Sequence, residues 1–215
     1  MANIYFLTRP EHDDTTYYLS KWSEGTIDFA KQKGLRVVDL NKERANRSEV
    51  EGILTGLSPN FVVLNGHGNE KSVTGHKNTP LLEAGKNEDL LKSKIVYAIS
   101  CSSAKELGKK SVKKGAISYT GYDDDFIFLY EPTSFTRPLK DNTAKLFLEP
   151  SQLFVTSVLK GNTVNEARAK TENLLKQNMR KLMASGSGDT SMLRYLWWDL
   201  KHFVSHGDSD ASLES

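Results

Sequence analysis

Phe61-Val62-Val63-Leu64-Asn65-Gly66-His67-Gly68 and Lys94-Ile95-Val96-Tyr97-Ala98-Ile99-Ser100-Cys101 decide how this chain folds. Each is an apolar, β-branched run of strand length, too short for a helix. Neither alternates apolar with polar residues, the mark of a strand covered on both faces by helices in a parallel sheet. The runs end at matching points, one releasing His67-Gly68 and the other Cys101. Laid side by side and parallel, they bring His67 and Cys101 to one edge of the sheet.

Outward from that pair, strand and helix alternate. Asn3 to Thr8, Leu35 to Leu40 and Ala116 to Gly121 read as strands, and His202 to His206 as a short closing strand. The spacing of apolar residues predicts helices over 16–33, 44–57, 103–114, 146–160, 163–184 and 191–199. Gly34, Gly115 and Gly161 stand where helix ends are expected. Residues 69–87 are rich in Gly, Asn, Lys and Thr without periodicity, which predicts a long functional loop; a short helix follows over 87–92. Gly186-Ser187-Gly188 reads as a flexible joint. The alternation predicts an α/β three-layer sandwich with a mostly parallel central sheet of about six strands. A single domain spans residues 1–208, with 209–215 expected as a polar, disordered tail.

With 215 residues, 38% of them hydrophobic and 26% charged, the chain can bury a substantial core. A net charge of +2 is too small to point to nucleic acid or a membrane. The Lys109, Lys110, Lys113, Lys114 group and the Lys176, Arg180, Lys181 group fall at helical spacing, as solvated helix faces do. The opening MANIYFLTRPEHDD lacks the features of a secretory signal, and no apolar run nears the roughly 20 residues that span a bilayer. One cysteine cannot form an internal disulfide, which suits a reducing compartment. The expected location is cytoplasmic.

Ligands of parallel sheets sit beyond the carboxyl ends of the strands. His67 and Cys101 fall there, and so do Asp13, Asp14 and the run Asp123, Asp124, Asp125. A free thiol is mostly protonated at neutral pH, so a nucleophilic Cys101 needs a neighbouring imidazole, and a helix opening at Ser103 would help. Gly68 lets the backbone approach a substrate carbonyl. Its N–H and that of Cys101 form a candidate oxyanion hole, worth about 3–4 kcal/mol per donor.

VVLNGHG and YAISCSSA resemble the caspase-like cysteine peptidases: caspases, legumain, separase, gingipains and bacterial CHAT-domain proteases. That family pairs an apolar strand ending in His-Gly with another ending in Cys. FVSHGDSDASL also resembles the closing segment of gingipain-like and CHAT domains, the nearest members in character. The resemblance implies a thiol protease of caspase-like fold, with His67 as general base and acid, Cys101 as nucleophile, and the oxyanion held by the N–H groups of Gly68 and Cys101. Ile99-Ser100-Cys101-Ser102-Ser103 departs from the caspase Gln-Ala-Cys-Arg-Gly, so caspase specificity is not implied. In relatives that cut after Arg or Lys, acids line the pocket for that residue. The residues at those places here are Asp13, Asp14, Asp123, Asp124 and Asp125.

The other reading is a catalytically inert caspase-like binding or regulatory module. A serine hydrolase at Ser100, Ser102 or Ser103 lacks the G-x-S-x-G elbow, and residues 65–69 match no phosphate-binding loop. His12, Asp13 and Asp14 lack a spaced partner, so no metal is expected, and no cofactor. The expected partners are a protein or peptide substrate and a separate activator or regulatory protein. Ordering of loops 69–87 and 123–141 is the other expected means of control.

Overall fold

The computed structural model describes residues 3–184 and 191–213. β1 (Ile4–Arg9) leads to α1 (Asp14–Gln32), β2 (Arg36–Asn41), α2 (Arg47–Gly56) and β3 (Phe61–Asn65). Three short strands follow: β4 (Gly68–Asn69), β5 (Ser72–Thr74) and β6 (Pro80–Glu83). Next come β7 (Ile95–Ile99), α3 (Lys109–Lys113) and β8 (Ser118–Tyr122). The chain closes with α4 (Asn142–Leu159), α5 (Val164–Ala184), α6 (Ser191–His202) and β9 (Phe203–Gly207).

The central sheet runs β2-β1-β3-β7-β8-β9, parallel throughout except for β9, which pairs antiparallel with β8. This is the predicted three-layer α/β sandwich with a six-stranded sheet. Side chains alternate between its faces as strand geometry requires. Tyr5, Leu7, Phe61, Val63, Ile95 and Tyr97 pack with α1 and α4. Phe6, Val62, Leu64, Val96 and Ala98 pack with α2 and the residues around Leu107. Both faces are therefore apolar, which is why the decisive strands carry no polar alternation.

Four expectations need correction. Residues 69–87 are not a structureless loop: β4, β5 and β6 form a small antiparallel sheet, with Gly68 opposite Val73 and Val73 opposite Leu82. Strands of two to four residues are too short to show a period. The helix expected from Ser103 begins as a turn at 101–103, becomes a π-helix over Ala104–Gly108, and is α-helical only over Lys109–Lys113. The Leu107 N–H is drawn to Glu70 O at 2.9 Å, and Gly108 N–H reaches back five residues to Ser103 O at 2.9 Å. The fourth long helix starts at Asn142, not Leu146, because buried Asp141 caps it through the N–H groups of Thr143 and Ala144.

The fourth correction is the tail. Residues 209–213 are docked rather than frayed: Ser209 O accepts from Asn165 N at 2.9 Å, and Ala211 O accepts from Val164 N at 3.0 Å. Those N–H groups belong to the first turn of α5 and have no partner within the helix, so the tail satisfies them. Asn3 Nδ2 donates to Leu213 O at 2.6 Å, and Ala211 is only 6% exposed. Gly186-Ser187-Gly188 lies outside the described residues. Among the described residues, no helix is long and apolar enough to cross a membrane. Ending the chain after Asp208 is expected to cost about 2–3 kcal/mol of buried apolar contact. Calorimetry should then show a melting temperature roughly 5–10 °C lower.

Candidate active site

β3 and β7 pair in register from Phe61 opposite Ile95 to Asn65 opposite Ile99. His67 and Cys101 each lie two residues beyond that last pair, so the strand ends are level. Gly66 N donates to Ile99 O at 3.4 Å, carrying the contact past the strands. At Gly68 a Cβ would stand 2.9 Å from Cys101 O and 3.0 Å from Ser100 Cβ. Only glycine leaves room for this approach, which sets the backbone after His67 against Cys101.

His67 Nε2 donates to Asp13 Oδ2 at 2.7 Å. Asp13 is the N-cap of α1, and its other oxygen, Oδ1, accepts from Thr16 N and Thr16 Oγ1, both at 2.8 Å. One carboxylate thus ends a helix with one oxygen and holds an imidazole with the other. Although partial burial opposes it, the bonds from Thr16 and His67 keep the Asp13 carboxyl below the usual carboxylate range. With Nε2 protonated toward Asp13, the lone pair of the ring lies on Nδ1, which has no hydrogen-bond partner among the described residues.

Cys101 is partly buried, and its thiol donates to Phe126 O at 3.8 Å. Burial pushes the thiol up from its ordinary value, and Asp125 and Asp199 push it further. The expected helix N-terminus does not stand behind it to offset this, since residues 101–103 form a turn. Ser102 adopts φ +56° there, and its N–H donates to Asp124 O at 2.8 Å. Beneath the turn, Ser103 Oγ accepts from Ser100 Oγ at 2.9 Å and from Tyr119 OH at 3.1 Å.

The five aspartates proposed for substrate binding separate. Asp13 is committed to His67 and the cap of α1. Asp14 accepts from Tyr130 OH at 2.8 Å. Asp123 pairs with His202 Nδ1 at 2.8 Å. Asp124 Oδ1 accepts from Asp125 N at 2.9 Å, which leaves the Asp125 carboxylate beside the thiol. The segment carrying them is fastened to α6: Trp198 Nε1 donates to Asp125 O at 3.0 Å, and Ile127 N donates to Asp199 Oδ1 at 3.0 Å.

Sequence reasoning missed Asp199, a buried carboxyl whose Oδ2 has no partner. Asp13 caps α1 as the capping pattern suggested, while its bond to His67 was not foreseen, though β1 lying beside β3 brings it there. The absence of a metal cluster was expected from His12, Asp13 and Asp14 alone. The structure supplies the missing partner: ligand atoms of His12, Asp13 and His67 lie within 4.8 Å of one another.

Among solved structures, the chain is similar to the complex of the pro- and mature domains of RgpB from Porphyromonas gingivalis. The TM-score is 0.62 over 97% of this chain, at 9% sequence identity. The fold is caspase-like. The match covers 47% of that RgpB chain, so this chain spans about half its length. No family model and no curated protein matches the sequence. The caspase-like fold thus accounts for the level ends of β3 and β7, while the side chains there are this chain's own.

Two outcomes follow from the charges. Asp125→Asn removes a carboxylate from the thiol, so iodoacetamide should label Cys101 several-fold faster at pH 7.5 than in the unsubstituted chain, as read by mass spectrometry. Burial raises the Asp199 carboxyl well above the ordinary aspartate value. Its contribution to stability is therefore full below the unfolded pKa and is lost as pH rises through the folded one. Asp199→Asn should melt several degrees higher than the unsubstituted chain at pH 8, with the gap closing toward pH 4.

Proposed function

We propose that this chain is a cysteine endopeptidase that cleaves a protein or peptide substrate after Arg or Lys. Cys101 is the nucleophile, His67 the general base and acid, and Asp13 the residue that orients His67. The observation that carries this reading is the His67–Asp13 bond at 2.7 Å, which fixes the imidazole at the edge where Gly68 abuts Cys101. Similarity to RgpB, a gingipain, supports it at the level of fold.

In the resting site the thiol is neutral and bonded to Phe126 O. Substrate entry turns it toward His67 Nδ1, which takes the S–H proton as sulfur attacks the scissile carbonyl carbon. The N–H groups of Gly68 and Cys101 receive the charge on the oxygen. The imidazolium, steadied by Asp13, then protonates the leaving amine; the C–N bond breaks and a thioester remains. His67 next deprotonates a water that attacks the thioester, releasing the acid and restoring the thiol.

Asp125 gives this reading its preference. Unlike Asp13, Asp14 and Asp123 it is not bonded to a histidine or tyrosine, and unlike Asp199 it is exposed beside the nucleophile. A guanidinium or ammonium beside it would offset the charge that holds the thiol up, so a basic substrate favours its own nucleophile. An apolar cleft of about 280 Å³ bounded by Ile127, Tyr195, Trp197 and Trp198 adjoins this segment and suits flanking side chains of a peptide. Control falls to a separate regulatory protein, because residues 69–87 are already folded. The raised thiol favours a second reading, an inert caspase-like module in the cytoplasm.

Digestion of a peptide library separates the two. Cleavage after Arg and Lys should vanish in Cys101→Ala, and His67→Ala should lower kcat by about 10²–10⁴. Asp13→Asn keeps the cap oxygen and should lower kcat about tenfold or more with little change in KM. Asp125→Asn should lose the basic preference even though its thiol labels faster. Cleavage that survives Cys101→Ala removes Cys101 as the nucleophile, and an unsubstituted chain that cuts nothing with or without added host-cell extract supports the inert module.

A further inference from the structure

We propose that His12, Asp13 and His67 form a binding site for a divalent transition-metal ion, Zn²⁺ foremost, and that its occupation silences Cys101. Three of the five histidines in the chain gather at the carboxyl ends of β1 and β3. His12 and His67 both turn Nε2 toward the same oxygen, Asp13 Oδ2, at 3.4 and 2.7 Å. Asn78 Oδ1 stands 3.2 Å from His12 Nε2 and offers a fourth donor.

The spacing is close to that of a tetrahedral ion. Bonds of about 2.0–2.1 Å place neighbouring ligand atoms about 3.3 Å apart. The His12–Asp13 and His12–Asn78 separations already match, and the His67–Asp13 hydrogen bond must open by roughly half an ångström. Two imidazole nitrogens with one carboxylate suit Zn²⁺ and disfavour Ca²⁺ or Mg²⁺, which take oxygen.

The ligands are held before any ion arrives. Asp13 Oδ1 is fixed by Thr16, which leaves Oδ2 facing the rings. The His12 N–H donates to Thr16 Oγ1 at 3.1 Å. Lys77 and Asn78 both adopt left-handed backbone, with φ +52° and +57°, in the turn that aims Asn78 at His12. His12 is 11% exposed at its side chain, and its Nδ1 is buried without a partner, as is Nδ1 of the neighbouring His76. A metal-bearing His12 carries its proton on Nδ1, and the His76 ring stands edge-on beside it with centroids 5.7 Å apart.

The consequence for chemistry rests on the endopeptidase reading. His67 serves as base through the Nδ1 lone pair while Nε2–H points at Asp13. Zn²⁺ on Nε2 displaces that atom's proton to Nδ1, where it occupies the lone pair, so the ring cannot accept a proton from Cys101. Asp13 leaves its orienting role at the same time.

Calorimetric titration of chelator-stripped protein with Zn²⁺ tests the site without reference to activity. One equivalent should bind, Ca²⁺ should not, and Cys101→Ala should bind Zn²⁺ unchanged. His12→Gln, with His12→Ala as the second variant and circular dichroism as the check on folding, should loosen Zn²⁺ about 100-fold or more. Loss of binding in Cys101→Ala places the ion on the thiol and overturns the proposal. So does full affinity in a folded His12 variant, or an unsubstituted chain with no site tighter than a surface histidine. In peptide cleavage, half-inhibition by Zn²⁺ should track the calorimetric Kd and weaken in parallel in His12→Gln. A chain that binds Zn²⁺ but cuts no peptide leaves the site standing and refutes the endopeptidase alone.

Discussion

The level pairing of β3 with β7 is the constraint on which everything at the site depends. Parallel register fixes not only which residues face each other but how far along each strand the chain departs. Asn65 opposite Ile99 means that two residues later the chain leaves the sheet at His67 on one side and Cys101 on the other. A shift of one residue would send each apolar side chain to the opposite face and break the packing of both cores. The cores on both faces therefore enforce the level placement of His67 and Cys101.

That much was legible in the sequence, because uninterrupted apolar runs such as Phe61–Leu64 and Ile95–Ile99 have few alternatives. What was not legible has a common physical cause: the choice among equally competent partners. Asp13 and Asp14 are adjacent and chemically identical, yet one caps α1 and holds His67 while the other meets Tyr130, 116 residues away. Asp123, Asp124 and Asp125 likewise diverge, because the chain turns at each residue and α6 claims the first. Residues 69–87 hid three strands because hydrogen bonds across such short elements, not a repeating pattern, define them. The π-helix at 104–108 arises from a competition for the Leu107 N–H that Glu70 wins from the β4–β5 turn.

On the endopeptidase reading, the electrostatics that hold Cys101 at rest would also select its substrate. Burial and the Asp125 carboxylate stabilise the neutral thiol, and Phe126 O gives its proton an acceptor that is not a base. Relief of that state calls for a positive charge from outside. If Zn²⁺ binds as proposed, Asp13 Oδ2 is the one carboxylate oxygen where orientation and inhibition of His67 would meet.

The fastening of the Asp123–Ile127 segment to α6 has a consequence in time. Asp123 N donates to the carbonyl of His202, and Trp198 and Asp199 hold Asp125 and Ile127. During synthesis His67 and Cys101 leave the ribosome long before those three α6 residues are made. The carbonyl that holds the thiol and the acid beside it are in place only once α6 docks. A nascent chain therefore carries both His67 and Cys101 before it carries the frame that surrounds them, which arrives with α6.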